Sequence, residues 1–136
     1  PKRVGVIGFS AGGHLAARAG SRFDVESYQR VDSTDEQSLK PDFAILVYPA
    51  YLDDRKGGLS PDPNPRPDLS PTLIIHNEDD SSFFPGTKFY VAALQKAKAR
   101  FDFSNYPTGG HGYALHCQRE AKAWPGVAEK WLSRFR

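Results

Sequence analysis

Arg3-Val-Gly-Val-Ile-Gly-Phe-Ser-Ala-Gly-Gly13 reads as a buried strand that runs into a tight turn and then a helix. Val4, Val6 and Ile7 form the short apolar run that a strand covered on both faces requires. Ala11 to Ala19 is rich in alanine and glycine and continues as a helix. The junction, Gly8-Phe9-Ser10-Ala11-Gly12, is a G-x-S-x-G elbow in a strand-turn-helix context. The expected reason for its glycines is crowding: Ser10 sits in a strained backbone, and the residues two before and two after it must let strand and helix pass closely. Ser10 is thereby pushed out at the C-terminal end of the strand. It also meets the helix N-terminus, where unpaired N–H groups and the dipole favour developing negative charge. The plainer alternative is a glycine-rich turn such as any α/β protein uses.

Downstream, His14 lies four positions beyond Ser10, and the helix carries it into the packing layer as a structural histidine rather than a second imidazole at the turn. Phe23 to Lys40 is polar and acidic and reads as a surface connection with one short helix. Phe43 to Tyr48 is a second apolar strand, opened by Pro41-Asp42 and closed by Pro49, so a parallel crossover is predicted. Asp53 and Asp54 follow it and are second choices for an acid at the site. Leu52 to Pro71 holds five prolines, at 61, 63, 65, 67 and 71, which excludes a helical layer and leaves a stiff loop beside an open cleft. Thr72 to Ile75 is the third strand, with His76-Asn-Glu-Asp-Asp80 as the loop at its C-terminal end, the edge where functional groups of open α/β sheets collect.

Lys88 to Ala99 places Tyr90, Val91, Leu94 and Ala97 on one helical face, and Phe101 to Tyr106 alternates as a half-buried edge strand would. It leads into Pro107-Thr-Gly-Gly-His-Gly-Tyr113, whose glycines allow the His111 imidazole to swing toward a distant partner. Ala121 to Phe135 sets Trp124, Val127, Trp131 and Leu132 near one helical face, which is expected to pack on the sheet. The fold class is therefore α/β: three layers, α/β/α, around a mostly parallel sheet.

The 136 residues suffice for one domain, and 39% hydrophobic with 25% charged residues is a soluble composition. A net charge of +2 with no dense Lys/Arg run argues against nucleic-acid binding. No apolar stretch approaches the ~20 residues of a membrane span, and no run of residues here reads as a signal peptide. The single cysteine, Cys117, excludes an internal disulfide and reads as a small buried residue. His76, Asp79, Asp80, His111 and His116 have the residue types of a metal site, but neither H-E-x-x-H nor paired-cysteine spacing is present; no metal and no cofactor is expected. A core strand begins about two residues from Pro1, which leads to the expectation that the chain is a piece of something longer.

A serine after one strand, an acid after a later strand and a histidine in a glycine-rich loop after the last is the chain order of the α/β-hydrolases. Gly8-Phe-Ser-Ala-Gly-Gly-His-Leu-Ala16, His76-Asn-Glu-Asp-Asp80 and Tyr106-Pro-Thr-Gly-Gly-His-Gly-Tyr113 resemble the acetyl xylan esterase-like and feruloyl-esterase-like branch of that superfamily. The resemblance covers the chain as a single α/β-hydrolase domain, 1–136, but only the family's C-terminal half. It implies Ser10 as nucleophile, His111 as general base and then acid, and Asp80 as the carboxylate that orients the imidazole. The family pattern of a histidine followed four positions later by the acid selects Asp80 over Asp79. The resemblance also makes the Ala11 N–H one oxyanion donor, with another supplied by a loop after an early strand outside this segment.

The implied activity is hydrolysis of short acyl esters, acetyl above all, on small molecules or carbohydrate. Such a substrate is compatible with secretion or the periplasm, and the compartment is otherwise unknown. A prolyl-oligopeptidase-like peptidase shares the elbow and order but normally brings a propeller, and dienelactone hydrolases carry cysteine at the elbow. A half-domain that only assembles with another chain is the alternative of a different class. Strand 4–7 is expected to need covering, by an N-terminal half or by a second copy.

Overall fold

A computed structural model of the chain describes residues 3–25 and 28–135. Four strands, β1 (Gly5–Phe9), β2 (Phe43–Val47), β3 (Thr72–Asn77) and β4 (Phe101–Tyr106), form one sheet in sequence order, and every neighbouring pair is parallel. Helix α1 (Ala11–Ser21) crosses from β1 toward β2, α2 (Phe84–Lys96) from β3 to β4, and α3 (Trp124–Leu132) follows β4. Because strand side chains alternate, the even residues Val6, Ala44, Leu46 and Ile74 meet Ala16, Ala17, Tyr90 and Leu94 of α1 and α2. The odd residues Ile45, Val47, Leu73 and Ile75 meet Trp124, Ala128 and Trp131 of α3. The predicted three-layer α/β/α arrangement is the observed one. Leu46, Ile74 and Leu94 are wholly buried, each contributing roughly 1.5–3 kcal/mol.

β2 and β3 are central and read as continuous apolar runs, whereas β4 is an edge strand with a half-buried pattern, as its alternation predicts. β1 is the other edge among the described residues, and Val4 and Ile7 are about half exposed. The proline-rich stretch forms no helix, but it is not merely peripheral: Leu52 and Leu69 enter the core, and Asp62 is bound by Arg18 and lies 3.3 Å from His14 Nε2. His14 is thus a packing histidine with a polar partner. In the Phe23–Lys40 connection, where residues 26 and 27 lie outside the described set, the expected short helix is a single 3₁₀ turn, Ser33–Glu36. Among the described residues no helix is long and apolar enough to cross a membrane.

Four expectations need correction. β3 continues through His76 and Asn77, which the sequence places in a loop; both are buried, His76 with partners for both ring nitrogens and Asn77 with acceptors for its Nδ2. α2 begins at Phe84 rather than Lys88, with Pro85 tolerated in a first turn whose N–H groups lack intrahelical partners anyway. In α3 the buried residue between the two tryptophans is Ala128, and Val127 lies at the margin. The elbow's crowding falls on Gly8 and Gly13 rather than on Gly8 and Gly12. A Cβ on Gly8 would stand 1.9 Å from the Gly12 carbonyl oxygen, and one on Gly13 2.8 Å from the Pro49 Cβ, while one on Gly12 meets nothing within 4 Å. Gly8→Ala is accordingly expected to cost about 3 kcal/mol or more, because both clashing partners are backbone. Gly12→Ala should be neutral or slightly stabilising, as alanine suits a helix better than glycine. Denaturant midpoints of the two variants check this; equal midpoints would contradict it.

Candidate active site

Ser10 sits between β1 and α1 with φ 53 and ψ −120, a backbone that a serine adopts only when its surroundings force it. They do so through main-chain bonds: Ser10 N–H donates to the Val47 carbonyl, and the Ser10 carbonyl accepts from the Gly13 and Ala50 amides. Its hydroxyl makes no cap bond to α1. The side chain is therefore free to point away from the helix, and Oγ lies 2.7 Å from His111 Nε2. Ala11, the first residue of α1, presents an N–H that no residue of the helix can accept, beside the positive end of the dipole.

His111 reaches Ser10 from the loop after β4, where Gly110 and Gly112 adopt φ 72 and 76. Its other nitrogen, Nδ1, lies 2.5 Å from Asp80 Oδ2. An ionised carboxylate only accepts, so these partners assign the proton to Nδ1 and leave Nε2 to accept from the serine hydroxyl. Two aromatic rings lie against the imidazole, Tyr48 edge-on with its centroid at 5.0 Å and Phe83 tilted with its centroid at 4.8 Å. Tyr48 is itself fixed, since its hydroxyl accepts from the Ala114 amide, and burial pushes its phenol above the usual value. His111 nevertheless keeps 29% of its side-chain surface open, enough for a ligand to approach.

The adjacent acids after β3 diverge across the turn at Glu78–Asp79, where the Asp80 amide donates to the Asn77 carbonyl. Asp80 is buried and turns to His111, while its carbonyl accepts from the Phe83 and Phe84 amides at the start of α2. Asp79 turns to the histidine loop: it accepts from the Gly109 and Gly110 amides, from Asn77 Nδ2 at 2.6 Å and from Arg119 at 2.9 Å. Burial pushes the Asp79 carboxyl up, but the Gly110 and Gly109 amides, Asn77 and Arg119 together outweigh it and hold it below the usual carboxylate value. A carboxylate so depressed anchors the loop at neutral pH and through the ordinary carboxylate range, and releases it only as pH falls through the lowered value. Asp79→Asn should therefore speed amide exchange at Gly109 and Gly110 by roughly 10- to 100-fold at neutral pH, the range expected for a bond to a charged group. Unchanged exchange would show that Asp79 does not hold the loop.

Neither Asp53 nor Asp54 reaches the imidazole. Asp53 belongs to a short bridge with Leu59, and the Asp54 carboxylate accepts from the Lys56 and Gly58 amides. Cys117 is buried, and its thiol donates a long hydrogen bond of 3.9 Å to the Arg119 carbonyl. Among the described residues no group of three or more His, Cys, Asp or Glu is arranged to hold a metal ion; His76, Asp80 and His111 instead form a hydrogen-bonded line, and His116 is exposed.

This parallel sheet with its flanking helices is shared with known proteins. A crystal structure of an acetyl ester-xyloside bifunctional hydrolase from Caldicellulosiruptor lactoaceticus superimposes with a TM-score of 0.78 at 28% identity, over 96% of this chain and 56% of that one. MGS-M1, an α/β hydrolase from a Medee basin deep-sea metagenome, gives 0.71 at 25% identity, over 96% and 53%. The chain has the α/β-hydrolase fold. In sequence it is also 25% identical, over 85% of its length, to an acetylxylan esterase of Xylanibacter ruminicola, of which it covers 27%. No family model matches. The chain thus spans about half the length of its structural relatives and about a quarter of that esterase.

Within this α/β-hydrolase fold, Ser10, His111, Asp80 and the Ala11 amide gather at the C-terminal edge of the sheet, where the sequence places them. Four contributors were not legible there. Tyr48 and Phe83 lie against the imidazole, Asp79 ties down its loop, and His76, considered above as a metal ligand and as the family's marker four positions before the acid, bonds Asp80 from inside the sheet. The available signals were positional: Tyr48 ends a central strand and Phe83 follows the acid loop.

Proposed function

We propose that the chain carries the nucleophile, base and acid of a serine esterase that hydrolyses short-acyl esters, acetyl groups on carbohydrate foremost. The observation that supports this reading is the unbroken line from Ser10 Oγ through His111 to Asp80 on a strained elbow. His111 Nε2 takes the hydroxyl proton as Oγ attacks the ester carbonyl carbon, and the negative oxygen forms beside the Ala11 N–H and the helix dipole. Asp80 supports the imidazolium that results. Collapse expels the alcohol, which receives the proton from Nε2, and leaves an acyl group on Ser10. Water, deprotonated by the same nitrogen, then releases the acid and restores the serine. The preference for acetyl and carbohydrate rests on the likeness to an acetylxylan esterase and an acetyl ester-xyloside hydrolase, and a second oxyanion donor is assigned to sequence preceding this segment in a longer protein.

The test uses that longer protein. Acetate release from acetylated xylan should exceed cleavage of peptide substrates, and a fluorophosphonate probe should form its adduct on Ser10, read by peptide mass spectrometry. An adduct elsewhere, or peptide cleavage as the faster reaction, would favour another reading.

The same preceding sequence is proposed to supply a strand that pairs with β1. Val4 and Ile7 are 54% and 49% exposed, an apolar edge that natural sheets keep covered. Residues 1–136 produced alone should therefore associate in sedimentation and exchange rapidly at residues 4–7, and co-expression with the preceding segment should protect them. A protected monomer, or a closed dimer of this segment, would overturn the proposal.

A further inference from the structure

His76 is wholly buried on β3, yet it is polar and aimed at the site rather than into an apolar layer. Its Nε2 lies 3.0 Å from Asp80 Oδ2, the oxygen that also receives His111 Nδ1. Its Nδ1 lies 2.8 Å from Thr87 Oγ1 on α2, and that hydroxyl is buried too. The carboxylate only accepts, so Nε2 carries the proton; Nδ1 must then accept, and the Thr87 hydroxyl donates. For an uncharged ring no other assignment satisfies all three groups, and a buried donor left without an acceptor would be costly. Burial, opposed only in part by Asp80, lowers the His76 pKa and keeps the ring uncharged; the other charged groups that face it are His111 and Asp79. A neutral donor can hold a carboxylate without cancelling its charge.

We propose that His76, with its tautomer set by Thr87, is the positioning residue for Asp80, fixing the carboxylate toward His111 while leaving its full negative charge to support the imidazolium. The arrangement ties the base to two rigid elements, β3 and α2, instead of to the loop that carries Asp80. His76 does not touch substrate or the reacting atoms. The inference rests on the serine-esterase reading above, and its test separates the two.

In the full-length protein, His76→Leu should lower kcat on p-nitrophenyl acetate by roughly 10- to 100-fold with KM unchanged, the range expected for losing a hydrogen bond to a charged group. His76→Gln, whose side-chain amide can donate where Nε2 did, should recover most of that loss. In an Asp80→Asn background His76→Leu should add nothing, because the group it orients has already lost its function. A wild-type kcat in His76→Leu, a folded His76→Gln no better than leucine, or a full further loss in the Asp80→Asn background would each overturn the proposal. Should His76→Leu not fold, Thr87→Val against Thr87→Ser decides: valine should lower kcat and serine restore it, and equal, unaltered rates would overturn it. One arm needs no activity at all. By NMR without substrate, the His111 Nδ1 proton should exchange roughly 10- to 100-fold faster in His76→Leu or Thr87→Val, and unchanged exchange would overturn the positioning role even if Ser10 is the nucleophile.

Discussion

Replacing Ser10 by alanine in the full-length protein should lower kcat for p-nitrophenyl acetate on the order of 10⁴-fold or more, leaving KM and the unfolding midpoint close to those of the parent. The size follows from the geometry: Oγ is the group 2.7 Å from His111 Nε2, and its hydroxyl is not engaged in capping α1. Losing it removes the covalent route altogether, not one interaction within it. What remains is binding and the electrostatic pull of the Ala11 amide on a reaction with water. Stability should hold, because the elbow is fixed through the Ser10 main chain to Val47, Gly13 and Ala50, and alanine retains those bonds. Near-normal esterase activity in the folded variant would falsify the nucleophile assignment, and with it the acyl-enzyme route.

The elbow was legible because its determinants are local. A short apolar run, a glycine two before the serine and a helix-forming stretch after it need no knowledge of the rest of the chain. The central strands were legible for a related reason: burial on both faces makes β2 and β3 continuous apolar runs. Reading failed where a distant residue decides the outcome. Gly13 is crowded by Pro49, which ends another strand, while Gly12, next to it and inside the recognised pentapeptide, is open. β3 seemed to stop at Ile75 because His76 and Asn77 are polar; Thr87 on α2 and Gly110 in the histidine loop, brought in by other elements, join Asp79 and Asp80 of the following turn to make their burial affordable. Asp79 and Asp80 show the limit best. Divergence of neighbouring side chains was readable, but which one faces His111 followed from a resemblance and not from the residues.

That choice gives the second large effect. Asp80→Asn should lower kcat by about 10⁴-fold, nearly as much as losing Ser10, although the substitution changes one atom and preserves volume. Asp80 Oδ2 now holds the His111 proton on Nδ1. A carboxamide nitrogen turned to the same place would donate, force Nδ1 to accept and move the proton to Nε2, where it opposes the serine hydroxyl instead of receiving its proton. Rotating the amide to put its oxygen at the position shared by His111 Nδ1 and the buried His76 Nε2 lets both histidines keep an acceptor, but that oxygen belongs to a neutral amide and brings no full negative charge to support the imidazolium. Asp79→Asn meets no such conflict. Its oxygen can still accept from the Gly109 or Gly110 amide, and the loss should be confined to loop order and a modest fall in kcat. Asp53→Asn and Asp54→Asn should leave kcat unchanged, since neither carboxylate approaches the imidazole. Steady-state rates of the four variants rank the acids directly. A loss at Asp79, Asp53 or Asp54 matching that at Asp80, or near-normal turnover in Asp80→Asn, would transfer the supporting role to another carboxylate.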